Sequence, residues 1–361
     1  MRVIGICCAL ALAASTPAPL RAEEGGPPDV TGQAKVMLAA AKKKPVPKKK
    51  VVKPAGPPAK ELFGAAKTPA ALQARAIGFY AKGCLAGAAA LPVDGEAWQA
   101  MRLSRNRNWG HPELVGLVQK LAREARKHDG WPGLLVGDLS QPRGGPMLTG
   151  HASHQVGLDA DIWLTPMPDR RLTGQEREDL SATSMLAEDK VSVDPKIWTE
   201  KHAKLIKRAA AYPNVERIFV HPAIKKALCE GTPKEGDRAW LHKVQSYWGH
   251  FYHFHIRMGC PKGSATCEAQ APLPNNDGCG KELTDWLARV KPKPPAPPTA
   301  TPAKPVRPAP PKPALTLDQL PAECKAVLAS GSPDVPPAPV PAVRPAPAKE
   351  ATTKKPAAAT K

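Results

Sequence analysis

The chain has 361 residues, with 52 Lys and Arg against 32 Asp and Glu for a net charge of +20, and 44 prolines beside only 5% aromatic residues. So much proline with so few rings excludes one compact unit over the whole length, although the length would allow two domains. No apolar stretch is long enough to be a transmembrane helix.

Met1-Arg2, the apolar run from Val3 to Ala14 and the small residues up to Ala22 read as a signal peptide over residues 1–22, cut between about Ala14 and Ala22. Cys7 and Cys8 within it fit a lipidation signal poorly, because Ile4-Gly5-Ile6 precedes them. Residues 23–67 read as a disordered, basic, Lys/Pro-rich linker, with nine Lys and no acid between Lys35 and Lys60. Residues 291–361 form a Pro/Ala/Lys-rich tail with eleven basic and four acidic residues, so Lys35–Lys60 and this tail together hold +16 of the net charge and the middle is nearly balanced. Proline makes such segments stiff spacers. Their charge suits weak tethering to an anionic envelope; a merely solvated linker is the alternative, and nucleic acid is not expected of an exported chain.

Residues 68–290 are the expected folded domain. Thr68 as N-cap and Pro69 at the first helical position open an Ala-rich run that reads as a helix ending at Gly83. The polar run Arg102 to Gly110, which holds Arg105, Asn106 and Arg107, suits a peptide or carboxylate contact as well as a hydrogen-bonded loop. Leu114, Leu117, Val118, Leu121 and Ala125 mark one face of an amphipathic helix opened by Pro112 and closed by Gly130 and Pro132. Leu134 to Leu139 reads as a buried strand, with Asp138 at its end a support for the site or, the preferred reading, a turn former, and a Gly/Pro-rich loop from Gln141 to Gly150 follows.

Thr173 and Glu176 have capping-box spacing for a helix running towards Met185. Helices over Trp198 to Ala211, Pro222 to Cys229 and Asp237 to Tyr247, and a β-branched strand over Val215 to Val220, complete the elements. Most tryptophans read as core, with Trp248 the exception. In the tail, Leu315 to Leu328 has the apolar spacing of a short ordered helix. Helices alternating with short strands predict an α+β fold, a largely antiparallel central sheet with surrounding helices.

Two stretches stand apart chemically. Gly150-His151-Ala152-Ser153-His154-Gln155-Val156-Gly157-Leu158-Asp159-Ala160-Asp161-Ile162-Trp163-Leu164 and His250-Phe251-Tyr252-His253-Phe254-His255-Ile256-Arg257-Met258 contain five of the ten histidines. On a strand, alternate side chains share a face, so Asp159 joins Asp161 and His253 joins His255. Imidazoles and a carboxylate supplied from neighbouring strands form a set that suits Zn²⁺, which takes three protein ligands at catalytic sites. His154, Asp161 and His255 are the expected ligands and His151 a further one. His253, one pleat from a ligand, is the expected general base or oxyanion donor, with His250 beside it. No H-E-x-x-H helix supplies a glutamate base.

These residues also carry a resemblance. G-H-A-S-H-Q-x-G-L-D-A-D-I-W followed by H-x-x-H-F-H-I-R is similar to the penicillin-insensitive murein endopeptidases, zinc peptidases related to lysostaphin, the D-Ala-D-Ala carboxypeptidases and the hedgehog domain. The likeness extends through Ser104 to Pro112, Arg217 to Val220, Trp240 to Val244 and Asp277 to Gly280, covering about residues 75 to 290. It implies a periplasmic zinc endopeptidase that cleaves the D-alanyl to meso-diaminopimelyl cross-link of peptidoglycan. Relatives bind further metal through an Asp and a His three residues apart; Asp189 matches the first, but Ser192 stands where the His would be. Two other readings stay open: a D-Ala-D-Ala carboxypeptidase or dipeptidase, and a non-catalytic, zinc-stabilised module that binds the envelope.

Setting aside the two in the leader, Cys84, Cys229, Cys260, Cys267, Cys279 and Cys324 form an even set, which in an oxidising compartment implies disulfides and allows fifteen pairings. The resemblance and short loop length favour Cys260 with Cys267 and Cys229 with Cys279. Cys84 with Cys324 would then tie the tail to the start of the domain.

Overall fold

The computed structural model of the chain describes residues 56–293 and 313–333. The leader expected over 1–22, most of the basic linker and most of the tail lie outside the described residues. Within them the elements run α1 (Ala59–Ala65), β1 (Arg75–Phe79), β2 (Lys82–Ala86), β3 (Ala89–Ala90), β4 (Trp98–Ala100), β5 (Trp109–Gly110), α2 (Pro112–His128), β6 (Leu134–Val136) and β7 (Asp159–Trp163). After these come α3 (Gly174–Asp179), α4 (Glu200–Ala211), β8 (Val215–Val220), α5 (Pro222–Glu230), β9 (Val244–Ser246), β10 (His253–Met258), α6 (Lys281–Val290) and α7 (Glu323–Ala329). Among the described residues no helix is long and apolar enough to cross a membrane.

The fold is α+β around one six-stranded, mainly antiparallel sheet, ordered β4-β6-β7-β10-β8-β9. Only the outer pairs β4/β6 and β8/β9 are parallel. The centre of the sheet is the antiparallel pair β7/β10, in which His255 lies opposite Asp161, Arg257 opposite Asp159 and His253 opposite Trp163. One face of this pair is therefore ionic. The other carries Ala160, Ile162, Phe254 and Ile256, all fully buried. A slip of one residue would exchange the two faces, so burying the apolar set fixes the register that brings the ionic one together.

Helix α2 buries Leu114, Leu117, Val118, Leu121 and Ala125 in that core, and α4 buries Leu205, Ile206 and Ala209. Their apolar positions recur at helical spacing, so one face of each is dry. His111 caps α2 and Thr173 forms the capping box of α3.

Several elements depart from the sequence reading. The Ala-rich run read as a helix from Thr68 to Gly83 is the antiparallel hairpin β1/β2. Alanine propensity is a weak prior, and here the backbone gains ladder bonds on a site too tight for a larger side chain: a Cβ at Gly83 would lie 2.5 Å from Val156 Cγ1. Helix α1 falls inside the stretch read as linker, where Phe63 and Ala59 are buried with Ile77, Leu320 and Val327 in a second small core. The helix after Thr173 ends at Asp179, well short of Met185. Asp237 to Tyr247 is a short 3-10 turn over Ala239–Lys243 followed by β9, because β-branched Val244 pairs with Ile218 at the sheet edge. The strand read over Leu134 to Leu139 is regular only to Val136, although Gly137 N still donates to the Asp161 carbonyl at 2.8 Å and the Asp138 carbonyl accepts from Asp161 N at 3.0 Å.

Three disulfides join Cys84 to Cys324, Cys229 to Cys279 and Cys260 to Cys267. The first holds α7 on the hairpin, aided by Arg143, whose Nη1 donates to the carbonyls of Val327, Leu328 and Ser330 at 2.9, 2.7 and 2.8 Å.

Candidate metal centre

The loop entering β7 is held in a conformation that L-residues seldom adopt: His154 has φ 67°, in the left-handed region. Three bonds fix it there. Its N–H donates to Asp159 Oδ2 at 2.9 Å, its carbonyl accepts from Ser140 Oγ at 2.5 Å, and its Nδ1 donates to the Leu139 carbonyl at 2.5 Å. Because a carbonyl can only accept, Nδ1 carries the proton and Nε2 is left bare. The turn also needs Gly157, φ 70°, where a Cβ would lie 2.4 Å from Leu85 Cδ2.

His255 is set the opposite way round. Its Nε2 donates to Asp159 Oδ1 at 2.8 Å, leaving Nδ1 free, 3.2 Å from Asp161 Oδ1. Asp159 is fully buried and also receives Arg257 Nε at 2.7 Å. Burial by itself would raise its carboxyl, but the charges of Arg257 and His255 hold it well below the usual carboxylate range. The Arg257 guanidinium is in turn seated over the Tyr80 ring at 4.2 Å.

Asp161 Oδ1 is the point on which the site converges. His255 Nδ1 lies 3.2 Å from it, His154 Nε2 3.5 Å and His253 Nε2 3.6 Å. Two ligand atoms about 2.0–2.1 Å from a tetrahedral ion are ~3.4 Å apart, and each of these nitrogens stands near that distance from Asp161 Oδ1. His154 Nε2 and Asp161 Oδ1 are moreover buried without a hydrogen-bond partner. Such atoms normally find one, and a cation between them would satisfy both. His151 Nε2 sits at the other oxygen, 3.4 Å from Asp161 Oδ2, but also 3.1 Å from Asp138 Oδ2. A ligand atom each from His151, His154 and Asp161 lies within 4.8 Å of the others. Of the two outer histidines, His255 has its spare nitrogen aimed at Asp161, whereas that of His151 is shared with Asp138.

Beside the cluster opens a cleft of about 280 Å³, lined by Arg102, Arg105, Asp138, His151, Asp161, Trp163, Tyr252 and His253 among others. Asp138, read from sequence as a turn former, is instead the hub of its wall: Oδ2 accepts from Arg105 Nη1 at 3.1 Å, Arg107 Nη1 at 2.9 Å and His151 Nε2 at 3.1 Å. Burial works against its charge, yet His151 and the two guanidiniums bring its carboxyl down to about 2. Of the three polar residues considered for substrate, only Arg105 lines the cleft, with its side chain 47% exposed. Arg107 is buried against Thr149 and Asp138, and Asn106 is a bracket, donating to the Lys67 carbonyl at 3.1 Å and accepting from Trp109 Nε1 at 2.8 Å.

His250 stands behind His253, ring centroids 4.9 Å apart, and its Nδ1 donates to the Trp248 carbonyl at 2.9 Å. Burial and the neighbouring imidazoles push it down to about 3, so it is neutral. His253 Nδ1 is buried with no partner. Asp189 lies apart from the cluster, its carboxylate taken by Ser192 N and Val191 N at 2.9 and 3.0 Å. Asp159 is a position in the cluster that the sequence reading left without a role, and Asp138 one that it read as a turn former ahead of a supporting group. The visible signal for Asp159 was the matched i, i+2 spacing of two carboxylates and two imidazoles; Asp138 offered none, since its partners come from distant segments.

Comparison with known proteins gives a consistent result. A model of the family described as penicillin-insensitive murein endopeptidase matches residues 76–329. A protein of that name from Haemophilus influenzae is 47% identical over 222 residues, 61% of this chain and 76% of its own length. One from Klebsiella pneumoniae is 43% identical over 219 residues, 61% and 78% of the two chains, and one from Yersinia enterocolitica 42% over 224 residues, 62% and 80%.

Proposed function

We infer the reaction from the premise that this chain belongs to the penicillin-insensitive murein endopeptidase family and is a murein endopeptidase. The bond we propose it cuts is the D-alanyl to meso-diaminopimelyl cross-link, with Zn²⁺ held by His154, Asp161 and His255. The observation that carries the metal is the pair of buried, partnerless atoms His154 Nε2 and Asp161 Oδ1. Two imidazoles and one carboxylate are a zinc set rather than a calcium or magnesium one. When bound, zinc supplies Lewis acidity to the scissile carbonyl and the attacking water.

The chain's own residues do the rest. Asp159 orients His255, and Leu139 orients His154, so that both present a bare nitrogen. His253, at the cleft wall, moves the proton from the attacking water to the leaving amine through Nε2, and His250 backs it as a neutral neighbour. Arg105, held by Asp138, faces the carboxylate that sits beside the scissile amide of the diaminopimelyl residue. One buried Asp138 carboxylate meets two guanidiniums and an imidazole, and a substrate carboxylate would offset the surplus. No serine takes part, which gives a β-lactam nothing to acylate. The place of action that follows is the periplasm, reached through the expected leader.

The test is mass spectrometry of muropeptides from purified sacculi, with the protein as isolated, after chelation and after addition of Zn²⁺. Dimers should become monomers, stop doing so on chelation and resume with zinc. Trimming of terminal D-alanine with dimers intact would move the protein to the carboxypeptidases. Binding without cutting would leave an envelope-binding module, in which chelation lowers only the melting temperature.

A further inference from the structure

Past His250, on the side away from the cleft, the surface carries aromatic rings that the proposed reaction does not use. Trp248 is 65% exposed and Tyr247 42%, the two rings nearly parallel with centroids 6.2 Å apart. Trp286 on α6 extends the row, 5.9 Å from Tyr247. Single exposed apolar side chains are ordinary, but contiguous ones beside a site mark a ligand surface. The row reaches the centre without a gap, since Tyr247 lies 5.6 Å from His250 and His250 4.9 Å from His253.

The ledge is also built to stay in place. Tyr247 N donates to the Val220 carbonyl at 2.8 Å, the Trp248 carbonyl accepts from His250 Nδ1 at 2.9 Å, and His250 in turn accepts at its carbonyl from His221 N at 2.7 Å. Trp248 thus stands out from a backbone that is tied on both sides. Its exposure is not that of a loose loop tip.

We propose that Trp248, Tyr247 and Trp286 form a platform on which pyranose rings of the glycan strand stack while the peptide stem runs to the metal centre. A stem peptide joins each cross-link to a glycan strand on either side, so a site that cuts the cross-link has sugar within a few residues of it. The axial C–H faces of a pyranose carry slight positive charge and suit the negative faces of aromatic rings, and the ring spacing here is close to the length of one sugar unit. The peptide stem, by contrast, carries carboxylates, whose complement is the Arg105 side of the cluster; among the described residues the cation over the platform is Arg289, 5.2 Å from the Trp286 ring centroid. The identity of the ligand rests on the murein-cleaving reading above.

The experiment compares two substrates, a cross-linked muropeptide dimer with its disaccharides and the same dimer after an amidase has removed them. In the full protein, the kcat/KM ratio of sugar-bearing over sugar-free dimer should fall roughly three- to tenfold in Trp248→Ala, the size of one aromatic stacking contact, and recover in Trp248→Phe. Zinc content and melting temperature identify variants that have not folded. Peptide-free glycan strands should also perturb the tryptophan fluorescence of the wild type and not of Trp248→Phe/Trp286→Phe, a readout that needs no turnover. A ratio unmoved by Trp248→Ala, or glycan strands that leave the fluorescence unchanged, overturns the platform. A wild type that binds glycan strands but cuts neither dimer overturns the reaction and leaves the platform standing.

Discussion

Asp159 Oδ1 accepts a hydrogen bond from His255 Nε2 at 2.8 Å, and that contact decides which nitrogen of the imidazole faces Asp161. Asp159→Asn keeps the shape but loses the charge that favours the Nε2-protonated ring. It should weaken zinc affinity about 10- to 100-fold without removing a ligand, as measured by competition with a chromophoric chelator. Wild-type affinity in the variant would take Asp159 out of the metal's support.

His253 and His255 are two residues apart and should fail differently. His255→Ala is expected to lose both zinc and activity. His253→Ala should keep stoichiometric zinc and lose about 10²- to 10⁴-fold in kcat on the dimer, the usual weight of a proton-transferring group. Metal analysis beside dimer turnover separates the two; near-normal turnover in His253→Ala would remove its role.

Arg105→Ala should raise KM for a dimer with a free carboxylate next to the scissile amide by about tenfold, as expected for one charge-assisted contact. For the carboxamide form of the same dimer the substitution should cost much less. Equal losses on both forms would mean that Arg105 serves the wall around Asp138 rather than the substrate.

Acid should weaken the fold through His221, which caps α5 by accepting from Ala223 N at 3.2 Å. Burial pushes its imidazole from the ordinary 6.5 down to about 4. Between these values the unfolded chain binds the extra proton and the native one does not, so stability is complete above pH 6.5 and falls as the pH drops towards 4. His221→Asn retains an acceptor and cannot charge. Denaturant melts of the two proteins should therefore diverge by about 1–2 kcal/mol over that window, with partial solvation of the ring allowed for. Parallel curves would refute the assignment.

Removing the outermost disulfide with Cys84→Ser/Cys324→Ser should cost about 2–5 kcal/mol, because it spans 240 residues of chain. The loss should also appear as faster proteolysis of the segment around α7. Unaltered melting and cleavage would show that Arg143 and the small apolar core hold that segment unaided.

The sequence made the centre of this protein readable because alternation along β7 and β10 is a direct geometric code: residues two apart share a face, and the motif lengths leave little choice of register. It could not show Asp138 gathering Arg105, Arg107 and His151, since their meeting depends on how the loop after β6 folds back. The hairpin β1/β2 was hidden for a different reason. Its alanines and glycines are small because Val156, Phe63 and the Cys84 to Cys324 link crowd it, and small residues look helical when neighbours are out of sight. Likewise Leu315 to Leu328 announced a helix, but not the partner helix α1 beneath it.

The disulfides are nested like parentheses, Cys260 to Cys267 inside Cys229 to Cys279 inside Cys84 to Cys324. During synthesis the earliest of these thiols to emerge must therefore wait for the latest and pass over four others. An oxidant that joined sulfurs in order of appearance would trap the wrong partner at once. The finished bonds depend on the inner chain having already taken its shape, or on an isomerase that undoes the premature choices.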